Sequence, residues 1–190
     1  MTKFKTLCIL TILISLNSNS QITKGFWMMG GNASFTYSKV YPKPNPSGEG
    51  ITFGENNPGV YSFLLEPKIG YFIYDKLAVG TSINYSNSYI ENGGFSEYAQ
   101  YGFGFYVRYY LLNHEKQINL FLEPSYNYYI PNPSLGGGAS SIAFRTGLVV
   151  FLNDTVGFET TLTYSNTDDK FSSLNKINLG FGLQIHLEKK

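Results

Sequence analysis

Cysteine is almost absent: the only one is Cys8. It lies within an apolar stretch, Leu7–Leu16, preceded by Lys3 and Lys5 and followed by Asn17-Ser18-Asn19-Ser20-Gln21. A charged start, a short apolar middle and small residues before a cut predict a secretory signal over residues 1–20, with one domain at 21–190. Cys8 does not directly follow the apolar stretch as a lipoprotein cysteine would, so it reads as part of the signal. The mature chain then has no thiol, which excludes disulfides, cysteine nucleophiles and cysteine-ligated metals. Long apolar runs are missing too. The first is too short to cross a bilayer as a helix and no later one is longer, so a membrane crossing must be made by strands. Charge is scarce, at 14% of residues with a net of +1, and gives no electrostatic case for nucleic acid as a partner. No cofactor motif is present.

What the chain has in quantity is 16 Tyr, 15 Phe and 20 Gly. Much of the aromatic content falls on alternate positions. Eight runs alternate: Trp27–Tyr37, Tyr61–Ile73, Leu77–Tyr85, Ala99–Leu111, Ile118–Ile130, Ile142–Leu152, Val156–Tyr164 and Ile177–Leu187. Side chains on a strand point alternately to opposite faces, so each run has an apolar and a polar side. Chance would place roughly seven charges on the apolar faces, and they carry none. The opposite faces carry Glu66, Lys68, Arg108, Glu123, Arg145 and Glu159. That contrast predicts an all-β, eight-stranded antiparallel up-and-down transmembrane barrel, apolar outside and polar inside.

Connection lengths agree. Long connections at about Ser38–Val60, Ser86–Tyr98, Pro131–Ser140 and Ser165–Lys176 alternate with short ones at Tyr74-Asp75-Lys76, Asn113–Lys116 and Asn153-Asp154. Sorting long loops to one end and tight turns to the other is the layout of an outer-membrane barrel. Tyr and Trp cluster toward the run ends, as expected where headgroups meet hydrocarbon.

Gly70-Tyr71-Phe72-Ile73-Tyr74-Asp75-Lys76-Leu77-Ala78-Val79-Gly80 resembles the second-strand, turn and third-strand segment of small outer-membrane β-barrel proteins common in Bacteroidota, and Val107-Arg108-Tyr109-Tyr110 resembles the end of their fourth strand. In size and layout the chain is similar to barrels of the OmpX and OmpA-transmembrane type. Where such barrels often end on an aromatic residue, this chain ends on Lys189-Lys190. The resemblance implies a fold and a location in a Gram-negative outer membrane, with lipid and lipopolysaccharide around it, and no activity.

The inward charges fall at similar heights above the short turns. Three acids and three bases in one layer predict a salt-bridge cluster that closes the lumen; the alternative is loosely paired groups in a wet lumen. Gly30, Gly80, Ser82, Gly180 and Gly182 are expected to make room for the long Arg and Lys chains. Pro67 and Pro124, in the two Leu-Glu-Pro triplets, are expected to mark bulges. His114 in a short turn and His186 at the same end are badly placed for surface chemistry, so no catalytic residue is assigned and the protein is not expected to be an enzyme. Asp168-Asp169 reads as a solvated turn, Gly136–Gly138 as a flexible loop, and no metal ligand is assigned. The functional expectation is a monomeric structural or surface-interaction protein whose long loops, such as Pro42–Asn57, meet any extracellular partner. A narrow porin-like channel and an outer-leaflet lipid-modifying enzyme are the alternatives, and a soluble lipocalin-like barrel is the alternative fold.

Overall fold

A computed structural model describes residues 22–39, 59–90, 97–113, 116–132, 137–168 and 173–188. The signal at 1–20, the loop Pro42–Asn57, His114, Asp169 and Gly136 lie outside the described residues. The strands are β1 (Trp27–Lys39), β2 (Gly59–Tyr74), β3 (Leu77–Ile90), β4 (Glu97–Tyr110), β5 (Ile118–Asn132), β6 (Gly137–Phe151), β7 (Val156–Asp168) and β8 (Ser173–Leu187). They pair in chain order, all antiparallel, and β1 pairs with β8 to close the barrel. Closure removes the free edge strand that would leave backbone groups unpaired.

The alternation sorts by face as the sequence reading requires. Phe35, Ile83, Ile142, Ile177 and Leu179 are 63–69% exposed on the outside, whereas Glu66, Arg108, Glu123 and Glu159 are buried inside. Aromatic pairs on the outer face come from residues opposed across neighbouring strands. Trp27 and Tyr71 have ring centroids 5.1 Å apart near the short turns, and Tyr85 and Tyr101 are 5.2 Å apart nearer the long loops. Along β2, the stretch from Tyr61 to Tyr71 rises about 23–25 Å at a tilt near 40–45°, the height of a barrel's apolar band.

Strands continue past the apolar runs at the long-loop end. β3 reaches Ile90, β4 begins at Glu97, β7 reaches Asp168 and β8 begins at Ser173, so parts of the expected loops are strand. The added residues, such as Ser86-Asn87-Ser88 and Ser165-Asn166-Thr167, are polar on both faces. The ladder of backbone hydrogen bonds does not need an apolar face, so pairing outlasts the alternation.

The prolines do not create bulges. Between β2 and β3, Leu65 opposes Tyr85 and Lys68 opposes Ser82 in one register, with Glu66 and Pro67 unpaired between them. Between β4 and β5, the Tyr106–Ser125 and Tyr109–Leu122 pairs bracket a similar gap at Pro124. Each proline still pairs on its other side, with Gly31 or Phe144. A missing N–H opens the ladder toward one neighbour without inserting a residue. Register shifts occur instead between Phe72 and Tyr74 and between Tyr129 and Asn132.

Candidate functional site

Below the charged layer, on the short-turn side, the interior is apolar. Met28, Phe72, Tyr110, Phe121, Val149 and Phe151 form a buried cluster sealed from beneath by Ile22, which is 0% exposed. Ile22 is held there by backbone bonds: the Lys76 N–H donates to Ile22 O at 2.8 Å, and the Gly25 N–H donates to Phe72 O at 2.9 Å. The sharp entry into β1 requires Gly25, whose φ of 95° is strained for residues with a Cβ. His186 is packed in this plug, with its ring 5.4 Å from Phe72 and 5.5 Å from Phe151. It is 1% exposed.

Above the plug, Glu66, Lys68, Arg108, Glu123, Arg145 and Glu159 meet in one network. Glu123, on β5, is the hub. It accepts from Arg108 Nε on β4 at 2.5 Å, from Arg145 Nη1 on β6 at 2.5 Å, and from Lys68 Nζ on β2. Arg108 Nη1 also donates to Glu159 on β7 at 2.9 Å. Arg145 Nη2 reaches across to Glu66, which lies 3.5 Å from Lys68. Three carboxylates and three cations therefore cancel within one layer. Neutrality is what makes the burial tolerable, because desolvating an unpaired charge costs several kcal/mol.

Neutral neighbours complete the network. Gln184, on β8, donates to Glu159 and accepts from Tyr110 OH at 2.6 Å. Phe121 lies flat beneath Arg108, whose Cζ is 3.9 Å from the ring centroid, and Tyr106 lies 5.0 Å from Lys68 Nζ. An aromatic face under a desolvated cation supplies attraction that water no longer can. Gln184, Phe121 and Tyr106 were not singled out from the sequence; each is one or two residues from an inward charge or inward glycine, which was the available signal.

The glycines do not serve the Arg and Lys chains as expected. A Cβ on Gly80 would fall 2.6 Å from the Tyr106 ring, and one on Gly182 would fall 2.7 Å from Glu159 Oε1. Gly180 gives way to Asn32 and Thr161, and Gly30 abuts the backbone of Leu183. Rings, amides and a carboxylate take the space. The cations instead extend into the lumen, where the facing acids are.

Above the network the lumen widens into a cavity of about 270 Å³ toward the long-loop end. Glu66 and Arg145 form its floor, and its walls include Ser62, Asn84, Ser88 and Asn127. Many wall groups are already bonded: Ser62 to Ser88 at 2.9 Å, and Asn84 Nδ2 donating to Asn127 Oδ1 at 2.9 Å. Among the described residues no group of three or more His, Cys, Asp or Glu is placed to hold a metal.

No protein-family model matches the chain, and no curated protein matches it. Among solved structures it is similar to Neisserial surface protein A (NspA), with a TM-score of 0.53 at 13% identity over 85% of this chain and 97% of that one. It is also similar to the outer membrane protein OprG from Pseudomonas aeruginosa, with a TM-score of 0.54 at 12% identity over 90% of this chain and 100% of that one. At such identities the likeness is one of fold. The fold class is a closed eight-stranded up-and-down barrel of the kind found in outer-membrane proteins.

Proposed function

We propose that this chain is a monomeric outer-membrane barrel of a Gram-negative bacterium. Its lumen is sealed and its long loops face the exterior, where they anchor a structural or surface-interaction role. The observation that carries the reading is the stacking inside the barrel: a neutral six-membered ion network over an aromatic plug, with Ile22 beneath both. An ion crossing from one end to the other would have to break that network and then pass Phe72, Tyr110 and Phe121. The outer face supports the location, since a surface this apolar is stable against acyl chains and not against water. The Gly70–Gly80 and Val107–Tyr110 segments support kinship with the small Bacteroidota barrels. On this reading residues 1–20 direct export and are removed, and the long loops, Pro42–Asn57 among them, are the elements that meet a partner.

Reconstitution in planar bilayers tests the seal. The wild-type barrel is expected to show no discrete conductance, while a variant lacking the plug side chains (Phe72→Ala with Phe121→Ala) gains short openings. Steady wild-type channels that respond to Glu66→Gln or Arg145→Gln would replace this reading with the narrow-channel one.

A further inference from the structure

We propose that the upper cavity is a binding site for a small polyhydroxylated carboxylate, of the size and chemistry of a monosaccharide acid. Two pairs of wall residues carry the inference. Ser86 of β3 opposes Gln100 of β4, and Ser165 of β7 opposes Lys176 of β8. All four line the cavity, and none has a side-chain hydrogen bond or ion pair to another described residue. In a closed barrel of eight strands, β3/β4 and β7/β8 are diametrically opposed, so the two pairs face each other across the lumen.

Charge fixes the ligand's sign. Glu66 and Arg145 are ion-paired to each other at the floor, which leaves Lys176 as the unbalanced charge among the described lining residues. An ammonium at one wall with a hydroxyl beside it suits a carboxylate. A primary amide and a hydroxyl at the other wall both donate and accept, which suits the vicinal hydroxyls of a sugar better than an apolar or cationic tail. Leu64, Tyr129, Ala139 and Ala143 stand among the polar wall groups, which suits the mixed faces of a sugar ring, and about 270 Å³ admits one such ring and not a chain of them. The plug below makes this a dead-end site, so the ligand enters and leaves by the long-loop mouth. The proposal rests on the outward-facing, sealed barrel proposed above.

The test uses the full mature chain folded in detergent micelles, with folding checked by heat-modifiable gel migration and binding followed by calorimetry or NMR titration. Glucuronate is expected to saturate in the millimolar range. Glucose, which lacks the charge, and propionate, which lacks the hydroxyls, should each bind at least about tenfold more weakly. Lys176→Gln should bring glucuronate down to the level of glucose, and Gln100→Leu should bring it down to the level of propionate. Glucuronate binding that is unchanged in Lys176→Gln overturns the proposal. So does propionate binding as tightly as glucuronate, or folded wild-type protein that fails to saturate at about 50 mM. If binding fails while the bilayer stays free of conductance, the ligand site falls and the sealed barrel stands; steady wild-type conductance removes the seal itself.

Discussion

Replacing Glu123 with Gln should destabilise the barrel more than any other single change in the network. Glu123 is 0% exposed and is the partner of three cations, Lys68, Arg108 and Arg145. Glutamine keeps the shape but removes the charge, so one positive charge among the three loses its compensation in a place that water does not reach. Breaking a buried pair in this way costs about 3–5 kcal/mol. For a chain of this length each kcal/mol lowers the melting temperature by about 2–4 °C, giving a loss of roughly 6–20 °C. Glu159 accepts from one cation, Arg108, which keeps Glu123 when Glu159 is neutralised. Glu159→Gln should therefore cost less, about 1–3 kcal/mol. Thermal unfolding of detergent-folded protein, read by circular dichroism and by the loss of the compact band on unheated gels, ranks the two. A Glu123→Gln barrel melting within about 2 °C of wild type, or one more stable than Glu159→Gln, refutes the hub.

Arg145→Ala removes partners from both Glu66 and Glu123, and should lower the melting temperature by an amount close to that of Glu123→Gln; an unchanged midpoint means the acids are hydrated. Gly70→Ala sets a Cβ 2.5 Å from Tyr106 OH and should cost about 1–3 kcal/mol in urea unfolding into lipid vesicles. Tyr106→Phe should relieve most of that loss. Alone it should be neutral or stabilising, because the Tyr106 hydroxyl is buried without a hydrogen-bond partner among the described residues. Lys76 closes the β2–β3 turn at φ 66°, so Lys76→Gly should raise the midpoint slightly, by less than about 1 kcal/mol, with the Lys76–Asn113 bond lost as a small offset.

The barrel was legible in the sequence because lipid and lumen impose opposite demands on adjacent residues. A strand such as Ala99–Leu111 states both demands in one line, with Phe103, Phe105 and Val107 outward and Arg108 inward. The membership of the ion network was legible for the same reason. Its pairing was not: Arg145 reaches Glu66, 79 positions away in the chain, and that meeting depends on strand stagger. The aromatic plug was present in the sequence as a loss of alternation near the short turns, in Tyr71-Phe72-Ile73 and Leu120-Phe121-Leu122. There both faces are apolar, and a reading tuned to period two passes over them. At the other end both faces are polar, and strand and loop look alike. The cavity wall could not be read for that reason: Ser86, Ser165 and Lys176 lie just outside the alternating runs, and Gln100 is only the second residue of its own.

The orientation of the sheet, greasy side to acyl chains and ion pairs to the axis, can be tested with one native fluorophore. Trp27 is the only tryptophan, and it lies on the outer face beside Tyr71, 40% exposed. In vesicles whose lipids carry bromine along the acyl chain, Trp27 emission should be strongly quenched, most of all by bromines close to the headgroup, while aqueous iodide leaves it nearly unchanged. Quenching by iodide with none from the brominated chains would place the apolar face away from lipid and contradict the barrel's assigned inside and outside.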